Sequence, residues 1–544
     1  MREMRRTTSI TATVAVALAL LLTVSGTALA LSGGPEIQVN TTTAGSQYVP
    51  AIAPAPDGGF TVAWQSEVGD GDGSGVYARR FDSAGTPLSA EIPVNTYTTG
   101  HQSTASIAAA SDGSFTVAWE SAGQDGGGSG VYARRFNAGG GPLSGEILVN
   151  TTTTDDQRRP AIAPGPNGGF TVAWQSFGQD GALSGIYAQR FDAAGNKLGG
   201  EIPVNVITPG SQEYAAIASD SSGGFTVAWQ GPDTDSSGIF ARRFDSAGAP
   251  LSGEIPVNST TADFQGTPAI AADLAGGFTV AWESYEQDGD EFGVYARRFD
   301  AAGAPLTGEI PVNTTTVDEQ EYPAITADSG GGFTVAWQSP DGSSSGIFAR
   351  RFDSAGTPLS AEIPVNTTTT TTQEAPTIAT DHAGGFTAAW ASYTQDGDDG
   401  GVYARRFVEP APPPPVVAAA PQPRIVIKSR KLKLDRKGRT KVRLACLPAS
   451  AVRGCTGMLK LGTRKKLPAK PGARKKRRIT LAKRRFSIRA GGVRSVILRL
   501  KPRQARLVRT VPASRRVWVR AAIRGSKQRK AALIKVQHRA VKRR

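Results

Sequence analysis

Three loop sequences gather carboxylates closely enough to hold a cation: D-G-D-G-S-G at 70–75, Q-D-G-D-E at 287–291 and Q-D-G-D-D-G at 395–400. Asp70, Asp72, Asp288, Asp290, Asp396 and Asp398 have the residue type and two-residue spacing of calcium loops, which supply hard oxygen ligands. The twelfth position counted from Asp70 is Phe81, where an EF-hand loop needs a bidentate glutamate, so that motif is incomplete and solvated turns account for the same residues. Calcium is therefore the one cofactor the sequence admits. The nucleophile elbow G-x-S-x-G, the zinc motif H-E-x-x-H, a phosphate loop and the S-x-D-x-G-x-x-W box are all absent. Two cysteines and three scattered histidines argue against zinc. A carboxylate pair for glycoside or lyase chemistry has many candidates and no distinguished member. No catalytic residue is assigned.

Those loops lie between copies of one recurring segment. G-G-F-T-V-A-W at 58–64 returns with tryptophans at Trp64, Trp119, Trp174, Trp229, Trp282, Trp337 and Trp390, spaced 53 or 55 residues apart, which is the signature of a repeat architecture. Each copy holds four alternating runs, in the first P-A-I-A from Pro50, F-T-V-A-W from Phe60, G-V-Y-A-R-R-F from Gly75 and E-I-P-V-N from Glu91. Period-two alternation of β-branched and aromatic residues reads as strands, and A-P-D-G-G at 55–59 supplies a hairpin turn. Seven such four-stranded units predict an all-β chain, a seven-bladed β-propeller with a small C-terminal β-sandwich. The E-I-x-V-N run is displaced, because its first copy at 36–40 precedes every other strand while the last repeat ends at Phe407 without one. Pairing 36–40 with 401–407 closes the ring and leaves no exposed edge.

Within this frame F-T-V-A-W is expected to be the inner strand, its tryptophan packing blade on blade. Arg80, Arg135, Arg190, Arg243, Arg298, Arg351 and Arg406 recur at the end of the third strand, and a glutamate opens every E-I-x-V-N run. Sevenfold recurrence favours ion pairs or hydrogen bonds within or between blades over ligand binding. The loops after the second and fourth strands share one face, which collects acid and a repeated glutamine (Gln47, Gln102, Gln157, Gln212, Gln265, Gln320 and Gln373). This predicts an acidic rim at the channel mouth. The largest departures from the repeat are the acid-rich stretch 284–292 and the pair Arg158 and Arg159, and neither is taken as a site.

Charge divides the chain in two. From Arg424 onward 43 Lys and Arg face a single acid, Asp435, whereas the first 423 residues hold 19 basic and 45 acidic residues. The segment 424–544 alternates apolar with basic residues, reads as a half-buried sandwich, and must seek polyanions. Anionic cell-envelope polymer or another polyanion is the expected partner, with lipid headgroups and the acidic propeller rim as alternatives; near-absence of aromatics speaks against single-stranded nucleic acid. Cys446 and Cys455 are expected to form one disulfide worth about 2 to 3 kcal/mol. Residues 408–423 are a proline-rich spacer. Residues 1–30 carry a basic start, a short apolar run and small residues at Ala28 and Ala30, the pattern of a signal peptide. A secreted or cell-surface location follows, with no transmembrane span in the mature chain.

The run E-I-P-V-N-T-T-T, Q-x-x-P-A-I-A, D-G-G-F-T-V-A-W-Q-S and G-I-Y-A-R-R-F-D resembles repeats of exported and surface proteins of bacteria, often near RTX-type or cadherin-like modules. That resemblance covers 36–407 and implies a surface-associated propeller of undefined ligand. The tail is similar to the basic, one-disulfide immunoglobulin-like domains that end many exported actinobacterial proteins. The expected function is a non-catalytic binding or scaffold protein: the propeller of 31–407 presents a rim to an unknown ligand and 424–544 attaches to anionic envelope polymer. The alternative is a polysaccharide-active enzyme, hydrolase or lyase, with its site in the channel mouth.

Overall fold

The computed structural model describes residues 31–381, 384–409, 424–447, 454–468, 474, 476–511, 516–524 and 529–538. The expected signal segment 1–30 and all but the first two residues of the spacer 408–423 lie outside them. The chain divides into two compact units, Met1–Pro410 and Ala411–Arg544.

In the first unit each repeat makes one antiparallel sheet, as in Gln47–Pro54, Phe60–Ser66, Gly75–Phe81 and Ile92–Pro93, hydrogen-bonded in that order. Seven such sheets occur among the described residues, and the seventh takes its fourth strand from the other end of the unit. Ser32–Gln38 lies antiparallel to Gly400–Val408, with Ile37 opposite Ala404. The ring therefore closes through main-chain hydrogen bonds between its two ends.

The strand order sharpens one expectation. The innermost strand is Gln47–Pro54 and its counterparts, which pack on one another round to Gln373–Thr380, and F-T-V-A-W is second. Burial gives the reason. Phe60–Ser66 is buried at every position, whereas Gln47–Pro54 mixes buried with half-buried positions, as befits the strand that borders the channel. The tryptophans do pack blade on blade. Trp119 sits against Ala53, Ala63, Val76, Ala78 and Val94 of the preceding blade, and Trp64 against Ala389, Val402 and Ala404 of the last. Each large side chain thus meets a surface kept small by alanine and valine. Trp229, in the same position and 1% exposed, provides a check: Trp229→Ala should destabilise the propeller by about 3–5 kcal/mol, read as a lowered denaturant midpoint.

The repeated charges act as latches, though not with each other. Glu91 accepts the backbone N–H groups of Thr41 and Thr42 from the crossover that follows the last blade's outer strand. The same contact recurs from Glu146 to Thr96 and Tyr97, and from Glu36 to Thr367 and Thr368. Burial opposes ionisation of Glu91, but these backbone donors outweigh it and hold the carboxyl below its usual range. Arg135 donates to the carbonyls of Ala193 and Gly168 in the next blade's turns, and Arg298 and Arg406 pair with Asp273 and Asp381 at 3.5 and 3.7 Å. The arginine before it, Arg134, donates to the Val94 carbonyl at 2.8 Å and lies over Phe136.

The second unit has a three-stranded sheet (Arg424–Ile427, Arg439–Leu447, Val493–Arg499) and a five-stranded one (Lys431–Leu434, Arg529–His538, Arg516–Ile523, Cys455–Thr463, Thr480–Ile488). Their shared core runs from Ile425, Leu432 and Val442 to Leu459, Val496 and Val519, an arrangement consistent with a β-sandwich. The Cys446–Cys455 disulfide joins a strand of one sheet to a strand of the other. A helix, Pro502–Thr510, was not anticipated; it turns Ala505 and Val508 into the core and begins with proline, which is compatible with a first helical turn.

Candidate active site at the channel mouth

The acidic loops are held by hydrogen bonds to the segments beside them. Asn40 donates to Gln47 Oε1 and to Asp396, while its own Oδ1 accepts the Val402 N–H. Asn95, Gln102 and Asp70 repeat this network, as do Asn313, Gln320 and Asp288. Asp72, Asp290 and Asp398 instead accept the backbone N–H groups of Gly100, Asp318 and Gly45. All six carboxylates suggested as calcium ligands accept hydrogen bonds from the neighbouring crossover segment, while one oxygen each of Asp70 and Asp288 is buried without a partner among the described residues. Among the described residues no group of three or more metal-ligating side chains comes together.

The sevenfold pattern breaks elsewhere. Just after each repeated glutamine the innermost strand bulges, and the second residue of the bulge takes a left-handed conformation: Val49, Thr104, Arg159, Tyr214, Thr267, Tyr322 and Ala375, with φ between 48° and 54°. Bulges re-aim side chains, and strained non-glycine residues concentrate at functional sites. These seven residues ring the loop-side mouth of the channel. The residue before each of them and the residue after each tryptophan vary too, although the surrounding sequence is nearly constant. They pair across the two inner strands, Tyr48 opposite Gln65 and Glu321 opposite Gln338.

The fifth and sixth blades hold the sharpest departure. Four blades place glutamine after the tryptophan and the last has Ala391, while the second has Glu120, which accepts the Arg159 N–H, and the fifth has Glu283, which is 7% exposed. Its carboxylate accepts the Thr267 hydroxyl at 2.7 Å and, across the blade boundary, the N–H of the left-handed Tyr322 at 3.1 Å. Burial raises its pKa. Beside it, half-buried Glu321 is pushed up to about 7, first by burial and then by the like charges of Glu283, Glu319 and Glu291. Tyr285, Phe292 and Phe264 make an edge-on aromatic cluster in the same blade, at 5.1 and 5.9 Å between rings. Tyr322 is 47% exposed, and Tyr285 and Tyr393 also reach solvent. In the third blade Arg159 lies 4.0 Å above the Tyr214 ring, and Arg158 pairs with Asp156 at 2.8 Å.

Both sequence departures noted above, 284–292 and Arg158 with Arg159, border this mouth. Glu283, Glu321 and Tyr322 were missed, since each is a single change inside an otherwise regular strand. A column-by-column comparison of the seven copies at the glutamine-plus-one, glutamine-plus-two and tryptophan-plus-one positions carries the signal.

The architecture is that of an all-β ring of seven four-stranded blades. No protein-family model matches the chain, and no curated protein matches it in sequence. Among solved structures it is similar to a protein of unknown function from Dyadobacter fermentans DSM 18053, at 11% identity and a TM-score of 0.44 over 70% of this chain and 100% of that one. It is also similar to the polysaccharide lyase Uly1 (11% identity, TM-score 0.41, 64% of this chain and 88% of that one). A third is the endo-1,5-alpha-L-arabinanase from Thermotoga petrophila RKU-1 (11% identity, TM-score 0.30, 68% and 100%). At such identities the likeness concerns architecture and assigns no residue. The expectation of a non-catalytic scaffold, more likely not an enzyme, stands against neighbours whose named activities are those of a polysaccharide lyase and an arabinanase, a likeness of architecture that assigns this chain no activity.

Proposed function

We propose that the chain is a polysaccharide-active enzyme that cleaves glycosidic bonds at the channel mouth of the propeller, 31–407. One observation carries this reading: the sevenfold symmetry breaks at the mouth, and the break places Glu321, with its raised pKa, among further carboxylates and solvent-reaching aromatic rings. A carboxyl titrating near 7 is substantially protonated at neutral pH and can deliver a proton to a departing glycosidic oxygen. Neighbouring carboxyl groups, Glu319 and Glu291, would activate water or stabilise developing positive charge. Tyr285, Tyr322 and Phe292 offer amphipathic faces of the kind that line sugar-binding surfaces.

The sequence features at 1–30 and the basic segment 424–544 support an exported enzyme held at an anionic surface; both are part of the proposal. Substrate binding is tested by affinity electrophoresis through gels containing neutral or acidic polysaccharides. The wild-type chain should be retarded by at least one polymer, and the Tyr285→Ala, Tyr322→Ala double variant should lose most of that retardation. Equal retardation of both proteins would place binding elsewhere.

A further inference from the structure

The second unit carries a groove of about 710 Å³ lined by Lys431, Lys433, Lys441, Arg443, Ser495 and Ile497, with Asp435 and Arg439 also on its wall. Lys431–Leu434 belongs to the five-stranded sheet and Arg439–Leu447 to the three-stranded one, so the groove follows the edge at which the chain passes between sheets. Lysines and arginine alternate there with buried Leu432, Leu434, Val442 and Leu444, and every cationic side chain points outward. Asp435, the one acid beyond Arg424, pairs with Arg439 at 2.8 Å, and the other four cations form no ion pair among the described residues.

We propose that this groove binds an extended phosphodiester-linked polyol, a chain of the poly(glycerol phosphate) type. Three features select that chemistry. Cations two residues apart on a strand recur at about 6.7 Å, and six backbone bonds, one glycerol phosphate repeat, extend to about 7 Å as two peptide residues do. Three of the four cations are lysines, which hold phosphate oxygens as point charges, and Arg443 adds a bidentate fork. No aromatic ring lines the groove, so it offers no platform for a nucleobase or a sugar ring, while a ringless polyol phosphate needs none. This binding is independent of the reaction proposed for the propeller.

The test uses the full chain in three forms: wild type; a groove variant with Lys431, Lys433, Lys441 and Arg443 changed to glutamine; and a control with Lys460, Lys483, Arg520 and Lys530, exposed outside the groove, changed likewise. Binding to poly(glycerol phosphate), to polygalacturonate and to duplex DNA is measured across a salt series. The groove variant should bind poly(glycerol phosphate) at least 30-fold more weakly, with a log–log salt slope shallower by roughly three, near the 0.7 to 0.9 expected per lost phosphate contact. The control should keep most of its affinity, and wild type should prefer poly(glycerol phosphate) to the other two polymers. Equal loss in both variants would show that net charge alone binds, and no loss in the groove variant would place the contact elsewhere. A preference for polygalacturonate or DNA would also overturn the proposal.

Discussion

Deleting residues 31–40 is expected to abolish the folded propeller. The segment supplies the outer strand of the last blade, and its loss would expose the ladder of Gly400–Val408 as an unpaired edge. It would also remove Val39, fully buried between the last and first blades. Two polar ties go with it: Asn40 to Gln47 and Asp396, and Glu36 to the Thr367 and Thr368 backbone. A ring missing its closure has no compensating interface, so the deletion variant should aggregate or lose its tryptophan fluorescence transition. Fusing the same ten residues after Val408 through a short glycine-containing turn should restore a cooperative transition, since the strand would reach the same partner from the other end. A deletion variant that unfolds at the wild-type midpoint would refute closure by this strand.

Glu321→Gln is expected to lower turnover of the polysaccharide substrate between about 100- and 10,000-fold, the range general acid catalysis contributes, with the fold intact. The acid form is the active one, so wild-type activity should decline as pH rises through about 7. The residual activity of the variant should lack that limb. Stability moves in the opposite direction. A glutamate whose folded pKa lies above its ordinary value favours the folded state when protonated, so the wild-type chain loses stability as pH rises from about 4.5 toward 7. Above 7 the penalty is complete. The glutamine variant should therefore be no less stable than wild type at alkaline pH, which separates a lost proton donor from a lost fold.

Much of the architecture was legible because the repeat states the same instruction seven times. Period-two alternation gave the strands, and the displaced E-I-x-V-N run gave the closure now seen between Ile37 and Ala404. Strand order was less legible. F-T-V-A-W is expected as an inner strand for its tryptophan, and being buried on both faces it lies between two others, whereas the channel-facing strand is the one that can tolerate Tyr48, Arg158 or Glu321. The partners of the acidic loops were also hidden in the sequence. Asp70, Asp288 and Asp396 look like free ligands in sequence, but their partners Asn95, Asn313 and Asn40 lie 25 residues away, or at the far end of the unit. Repetition itself argued that they were structural. The candidate site lies where repetition fails, and Glu283, which shares its column's glutamate with Glu120, has no visible weight until Tyr322 and Glu321 are folded beside it.

The central claim is that Glu321 at the channel mouth donates a proton in polysaccharide cleavage. It is tested most directly by incubating wild-type and Glu321→Gln proteins with a panel of neutral and acidic polysaccharides and counting the reducing ends released. The account predicts that at least one polymer is cut by the wild type at neutral pH and is left almost intact by the variant. Equal release by the two proteins, or no release from any polymer, would contradict it.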